Sequence, residues 1–207
     1  AAIITELELS MDKERAIDDY KTAIENSLKD ARKIVRLSNS LLDMAKASYD
    51  PSEIAFKLTR IDEVLLDARQ QVQRAHPNYK IDIHFETDIE TDEQISINAN
   101  SYLLKVAFVN LFENGCKFSD NQHSKVSIAF KDKTIHLQFS DHGIGISKID
   151  QKNIFKPFYR GDNQKFADGN GIGLSLTQKI IDLHKGEISM TSKLGKGTDF
   201  FVNFPNG

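Results

Sequence analysis

The stretch Val109-Asn110-Leu111-Phe112-Glu113-Asn114-Gly115-Cys116-Lys117-Phe118-Ser119 holds the residues best placed for chemistry. It closes an amphipathic run that begins near Ser101 and carries Leu103, Leu104, Ala107, Phe108, Leu111 and Phe112 at helical spacing. On that helix Asn110 and Asn114 lie four residues apart and Lys117 three further, so all three side chains share a face. Neutral carboxamide oxygens suit a magnesium ion or its waters, and an ammonium answers the charge of a polyphosphate. Taken alone, a solvated polar face on an ordinary core helix is the simpler reading.

Three further stretches carry similar signals. Asp141-His142-Gly143-Ile144-Gly145 follows a strand pattern ending at Phe139-Ser140; a carboxylate there can accept from an exocyclic amine while glycine backbone passes close to a flat ring. Gly169-Asn170-Gly171-Ile172-Gly173-Leu174 leads into a helix expected over 175–184, and such glycines offer N–H groups to phosphate. Neither the dinucleotide fingerprint nor the Walker spacing is met. Between them, residues 147–168 start hydrophobic and end polar, as suits a lid anchored by aromatics around Phe155 and Phe158. Arg160 within it can reach a phosphate, or pair with Asp162.

These stretches need elements to hold them. Residues 1–48 contain no glycine or proline, and Ile17, Tyr20, Ile24, Leu28, Ala31, Ile34, Val35, Ser38, Leu41, Leu42 and Ala45 follow a three-four spacing. So narrow a seam predicts a helix that wants partner helices. With a shorter piece over 3–9, and Ser10 or Asp12 as cap, it reads as a helical hairpin that pairs with a second copy into a four-helix bundle. A helix lying along its own domain is the alternative. Tyr49-Asp50-Pro51 ends the helix and divides the chain into domains 1–50 and 51–207. Beyond it, strands are expected at 54–58, 80–86, 94–97, 126–130, 134–139, 187–191 and 198–204, and a helix over 61–74. Hairpins alternating with helices give an α+β two-layer sandwich, helices covering one face of a mixed sheet.

Composition sets the bounds. The chain has 207 residues, 28% charged and 40% hydrophobic, with a net charge of -3 that provides no basic field for nucleic acid. A lone cysteine, Cys116, fits a reducing, cytoplasmic setting. No apolar run approaches a membrane span, so no membrane contact is expected of this chain. The opening Ala1-Ala2-Ile3-Ile4 has no cap before it and reads as a cut from a longer protein, whose anchoring in a membrane is left open.

In this order the four stretches resemble the boxes of the catalytic ATP-binding domain of sensor histidine kinases from two-component systems. Residues 110–119 are similar to the N box, 141–145 to the G1 box, 155–160 to the F box and 169–175 to the G2 box; Gly195-Lys196-Gly197-Thr198 resembles the closing hairpin. The likeness covers residues 51–207.

The resemblance implies a Bergerat-type sandwich binding ATP with magnesium, preceded by a truncated dimerisation and phosphotransfer hairpin of four-helix-bundle type. By analogy Asp141 takes the adenine amine, with Gly143 and Gly145 beside it, and Asn114 ligates magnesium. Asn110 and Lys117 meet the phosphates, Tyr159 and Arg160 close from the lid, Gly169, Gly171, Gly173 and Leu174 bend around the triphosphate, and Thr198 adds a bond near the base. Asn110, Lys117 and Arg160 would carry the transfer. Implied partners are ATP, a response-regulator receiver domain and a second copy of the chain. ATPase relatives on this fold carry a glutamate at the position of Asn110; an asparagine cannot act as that general base, so transfer to a protein side chain is implied over hydrolysis. The family's phosphoacceptor motif is absent: His76, His84, His123, His136, His142 and His184 all lie outside residues 1–50. The implied activity is protein-histidine kinase with an acceptor supplied from elsewhere. A degenerate nucleotide-binding or dimerisation module is the alternative.

Overall fold

The structure is a computed structural model and describes residues 8, 16–48, 55–161 and 171–206. The expected first helical piece, its cap at Ser10 or Asp12, the boundary at Tyr49-Asp50-Pro51 and Gly169 lie outside the described residues. The chain divides into two compact units, Ala1–Asp43 and Met44–Gly207.

The three-four seam forms the long helix α1 (Ile17–Ser48), which lies in the first unit up to Asp43, with Asp18 and Asp19 at its positive end. Ala23 and Ser27 are buried, whereas Ile17, Ile24, Leu28, Ile34 and Val35 are exposed. Among the described residues no helix is long and apolar enough to cross a membrane.

The second unit has two layers. Its sheet runs β2 (Lys80–Phe85), β4 (Ser119–Lys131), β5 (Thr134–Gly143), β7 (Gly197–Pro205), β6 (Glu187–Lys193), with β2 parallel to β4 and the other pairs antiparallel. A separate two-stranded ribbon pairs β1 (Lys57–Arg60) with β3 (Ser96–Ala99). Helices α2 (Ile61–Ala75), α3 (Ser101–Phe118) and α5 (Gly173–Leu183) supply the other layer; a one-turn α4 (Lys148–Gln151) lies between β5 and α5. The parallel pair requires a crossover, and α3 makes it.

Strict alternation builds the core. Ile135, Leu137 and Phe139 of β5 are buried, as are Val126 and Ile128 of β4 and Phe200, Val202 and Phe204 of β7. Phe139 packs on Phe108 and Phe112 of α3, with ring centroids 5.8 and 5.3 Å away. The opposite face is polar: His136 bonds Asn203 at 2.7 Å, and the Asp199 carboxylate accepts from Ser140 at 2.5 Å and Gln138 at 3.1 Å. One packed and one hydrated face is the pattern of an antiparallel sheet.

Several boundaries differ from expectation. β1 starts at Lys57, three residues late, so the apolar Ile54-Ala55-Phe56 precedes it. β3 runs 96–99 because Asp92–Ile95 form a short 3₁₀ turn closed by a capping box between Thr91 and Gln94. β4 starts seven residues early, across the polar run Ser119-Asp120-Asn121-Gln122-His123-Ser124, since Ser119 pairs with Gly143 and a register shift lies between. β5 continues through Gly143, and α5 starts at Gly173, two residues early.

Candidate functional site

The column of core-facing residues on β5 ends in a carboxylate. Asp141 continues the alternation of Ile135, Leu137 and Phe139, so it enters the helix-facing side where the next apolar residue would stand. Its Oδ1 accepts the Gly143 N–H at 2.8 Å. Burial pushes its pKa above the ordinary carboxylate value, and the Asp199 charge adds to that; the Gly143 and Thr198 amides and His142 act against it.

Asp141 belongs to a polar row across four strands. It pairs with Ser124 of β4 and with Thr198 of β7, and Thr198 pairs with Ser192 of β6. Paired residues share a face, so the four side chains line up at the end of the apolar core. The Ser192 hydroxyl donates to the Gly197 carbonyl at 2.8 Å, accepts the Ile146 N–H at 2.8 Å and lies 2.9 Å from the Thr198 hydroxyl.

Helix α3 lies over this row. The Asn100 side chain caps it by accepting from the Leu103 amide at 3.0 Å, and its last turn is tied to the strand end by the Ile144 N–H donating to the Phe118 carbonyl at 3.1 Å. The approach excludes side chains: a Cβ on Gly143 would stand 2.0 Å from the Phe118 oxygen, and one on Gly115 would stand 2.5 Å from the Ser124 Oγ. Gly145, at φ +69°, turns the chain under the β6–β7 hairpin, whose Gly195 N–H donates to the Ile144 carbonyl at 2.8 Å.

On the exposed side of α3, Asn110, Asn114 and Lys117 are each half-buried. The Asn110 Nδ2 lies 3.5 Å from the Gly173 carbonyl at the start of α5, and the Lys117 ammonium stands 5.4 Å from the Phe118 ring centroid. Glu113 is turned elsewhere: its carboxylate is 3.9 Å from His76, which stacks on Tyr79.

Ser147 caps α4 by accepting the Asp150 N–H at 3.1 Å and donates its hydroxyl to Asp150 Oδ2 at 2.8 Å. The Tyr159 hydroxyl donates to the other oxygen of this buried carboxylate at 2.6 Å, and a Cβ on Gly161 would stand 2.7 Å from its Cγ. Phe155 anchors the segment edge-on against Phe200, with centroids 6.4 Å apart. Phe158 does not anchor it: it is exposed at φ +63°, and its amide donates to the Gly171 carbonyl at 2.8 Å. Arg160 is half-buried.

Residues 99–207, more than half of the chain, match the family described as histidine kinase-, DNA gyrase B-, and HSP90-like ATPase. The chain belongs to this family. It is 31% identical over 181 residues to the signal transduction histidine-protein kinase ArlS of Staphylococcus aureus, covering 86% of this chain and 39% of that protein. It thus spans about two fifths of the length of that curated relative. Among solved structures it resembles full-length ShkA in complex with AMPPNP (TM-score 0.72, 19% identity, 94% of this chain and 40% of that one). It also resembles the Acinetobacter baumannii histidine kinase AdeS (TM-score 0.67, 16% identity, 100% and 94%) and the catalytic domain of the histidine kinase ThkA (TM-score 0.61, 20% identity, 74% and 97%). At these identities the solved structures establish the fold, the α+β sandwich of histidine kinase catalytic domains.

In this ATPase-family domain the four motifs meet by direct contact. The N box touches G1 through Phe118 and Ile144 and touches G2 through Asn110 and Gly173; the F box touches G2 through Phe158 and Gly171. Thr198 lies beside Asp141, and Leu174 is half-buried in the first turn of α5. Sequence reasoning missed Ser124, Ser192 and Asp150. A glycine inside α3 was the available signal for Ser124, because Gly115 costs helix stability unless something passes close. Ser147 three residues before Asp150 was the signal for that capped turn. Among the described residues no group of three or more His, Cys, Asp or Glu could hold a metal. The neutral oxygens of Asn110 and Asn114 therefore fit magnesium only in company with phosphate oxygens.

Proposed function

We propose that this chain is the ATP-binding catalytic core of a sensor histidine kinase, transferring the γ-phosphoryl of ATP to a histidine for relay to the aspartate of a response-regulator receiver domain. The acceptor would come from outside residues 1–207. The observation that carries the reading is the direct contact of four separate motifs around the second half of α3, with a half-buried carboxylate on one side and two carboxamides and an ammonium on the other.

In this reading the second oxygen of Asp141 accepts the adenine amine, since Oδ1 is held by Gly143. Gly143 and Gly145 let the end of β5 pack against the Phe118 and Lys193 carbonyls beside the base, and Thr198 borders it. Lys117 and Asn110 bind phosphate oxygens, and the N-terminal turn of α5 at Gly171, Gly173 and Leu174 adds amide donors, with Gly169 preceding it. Magnesium, held by Asn114 and the phosphates, would supply charge neutralisation. Arg160 answers charge on the terminal phosphate, and Tyr159 stands behind it, tied to Asp150. Asn110 offers no base for water, so the residues do what phosphoryl transfer asks of a protein: they position and neutralise.

The domains are 1–50, a helical hairpin, and 51–207, the catalytic domain. The exposed stripe of Ile17, Ile24, Leu28, Ile34 and Val35 supports pairing with a second copy in the parent protein, and the setting is cytoplasmic. Calorimetric titration with a non-hydrolysable ATP analogue tests the reading. Saturable binding, strengthened by magnesium and abolished by Asp141→Ala, is expected. No binding to the folded chain would sink it and leave a degenerate or dimerising module.

A further inference from the structure

One member of the polar row has nothing to bond. Ser192 makes three contacts, Thr198 is joined to Ser192, and Asp141 holds the Gly143 amide. Ser124 is 1% exposed, and its hydroxyl has no partner. An orphaned buried hydroxyl is costly, so a fold that keeps one has a use for it. Ser124 is the direct cross-strand neighbour of Asp141 on the same face, and the missing Cβ of Gly115 gives the Ser124 side chain the room it takes up. The Ser124 Oγ, at 2.5 Å, and the Asp141 Cβ, at 3.8 Å, lie close to one point above Gly115. The hydroxyl is therefore buried under α3, beside the carboxylate that would read the base. A serine hydroxyl is one donor on a freely turning bond, and the Asp141 oxygen left by Gly143 is an acceptor.

We propose that Ser124 is a positioning residue for base recognition: its hydroxyl donates to the Asp141 carboxylate when nucleotide is bound, by turning about its Cα–Cβ bond or through one buried water, and fixes that carboxylate to receive an exocyclic amine. The proposal rests on the nucleotide-site reading above and deepens it. Gly115 and Ser124 then form a matched pair, the glycine providing the room in which the serine turns.

The test compares two non-hydrolysable triphosphates, of adenosine and of purine riboside, which lacks the 6-amino group, on the intact chain and on Ser124→Ala. Loss of a hydrogen bond to a charged group predicts about tenfold weaker binding of the adenosine compound by the variant. The purine compound should bind both proteins equally, because it presents no amine for the carboxylate to receive. Thermal unfolding without nucleotide should be unchanged or raised, since the variant removes an unsatisfied buried group. Equal weakening for both triphosphates, a drop in unfolding temperature alongside it, or unchanged binding of the adenosine compound would each overturn the role of Ser124. Failure of the unsubstituted chain to bind either triphosphate would overturn the nucleotide site itself and this role with it.

Discussion

Gly115→Ala sets two principles against each other. In an isolated helix the change stabilises by about 1 kcal/mol, because alanine is the better helix former. Here the added methyl would stand 2.5 Å from the Ser124 Oγ and 2.9 Å from its Cβ. The Ser124 hydroxyl can turn away, but its Cβ, 2.9 Å from the methyl, is fixed by a central strand, so helix and sheet must separate. Overpacking of this kind costs about 1–3 kcal/mol, and two contacts this short place it in the upper part of that range. The net expectation is a loss of about 1–2 kcal/mol, read as a lower urea midpoint with unchanged slope. In a Ser124→Gly background the obstacle is gone, and the same alanine should stabilise by about 1 kcal/mol. The difference, about 2–3 kcal/mol, is the coupling that a double-mutant cycle measures. If Gly115→Ala stabilises in both backgrounds, α3 does not pack this closely on β4 and the geometry of the base pocket is wrong.

Asp141→Asn should stabilise the nucleotide-free chain at neutral pH. Burial raises the Asp141 pKa, so between the ordinary value of 3.8 and that raised value the folded state holds a proton that the unfolded state has released. Its contribution therefore worsens as pH rises through that window, and thermal unfolding should show the variant's advantage at pH 7 vanishing below pH 4. His184 acts in the opposite sense. Burial lowers its pKa below 6.5 against its hydrogen bonds, in which Nε2 accepts the Asn100 N–H at 3.0 Å and Nδ1 donates to the Ile180 carbonyl at 2.7 Å. Only the unfolded chain gains the proton, hence stability drops as pH falls below 6.5, and His184→Gln should flatten a plot of unfolding temperature between pH 7 and 5. Asp150→Ala leaves the Tyr159 and Ser147 hydroxyls without their acceptor and should cost about 1–3 kcal/mol in urea unfolding, with faster proteolysis within residues 147–161.

The central helix, the core alternation on β5 and the order of the motifs were legible because each has a local period. Asp132 and Lys133, both at positive φ, form the two-residue turn between Lys131 and Thr134, which are themselves paired. The first part of β4 was not legible: Ser119 to Ser124 has no apolar alternation, and it is a strand because Ser119 pairs with Gly143 and because His123 and Ser124 pair with Lys80 and Ile81. β1 was misplaced for a related reason, since Ile54-Ala55-Phe56 looks more strand-like than Lys57-Leu58-Thr59-Arg60, whose pairing with β3 decides the matter. Within the site, glycines flagged close approaches without saying to what. Only the register that pairs Ser124, Asp141, Thr198 and Ser192 across four strands reveals the polar row, because those residues are far apart in sequence.

Strand β7 follows every other strand of the sheet in sequence, yet it lies inside the sheet, between β5 and β6. During synthesis, β5 emerges with Asp141 on it and one edge unpaired until residues through Pro205 have cleared the ribosome. β6, which pairs only with β7, has no neighbour before then. The nascent chain thus carries an open, apolar strand edge, a hazard for wrong pairing. The proposed base site is incomplete in that period, because Thr198 and the hairpin over Gly145 arrive together with the strand that closes the gap. Ligand can reward only the completed sheet.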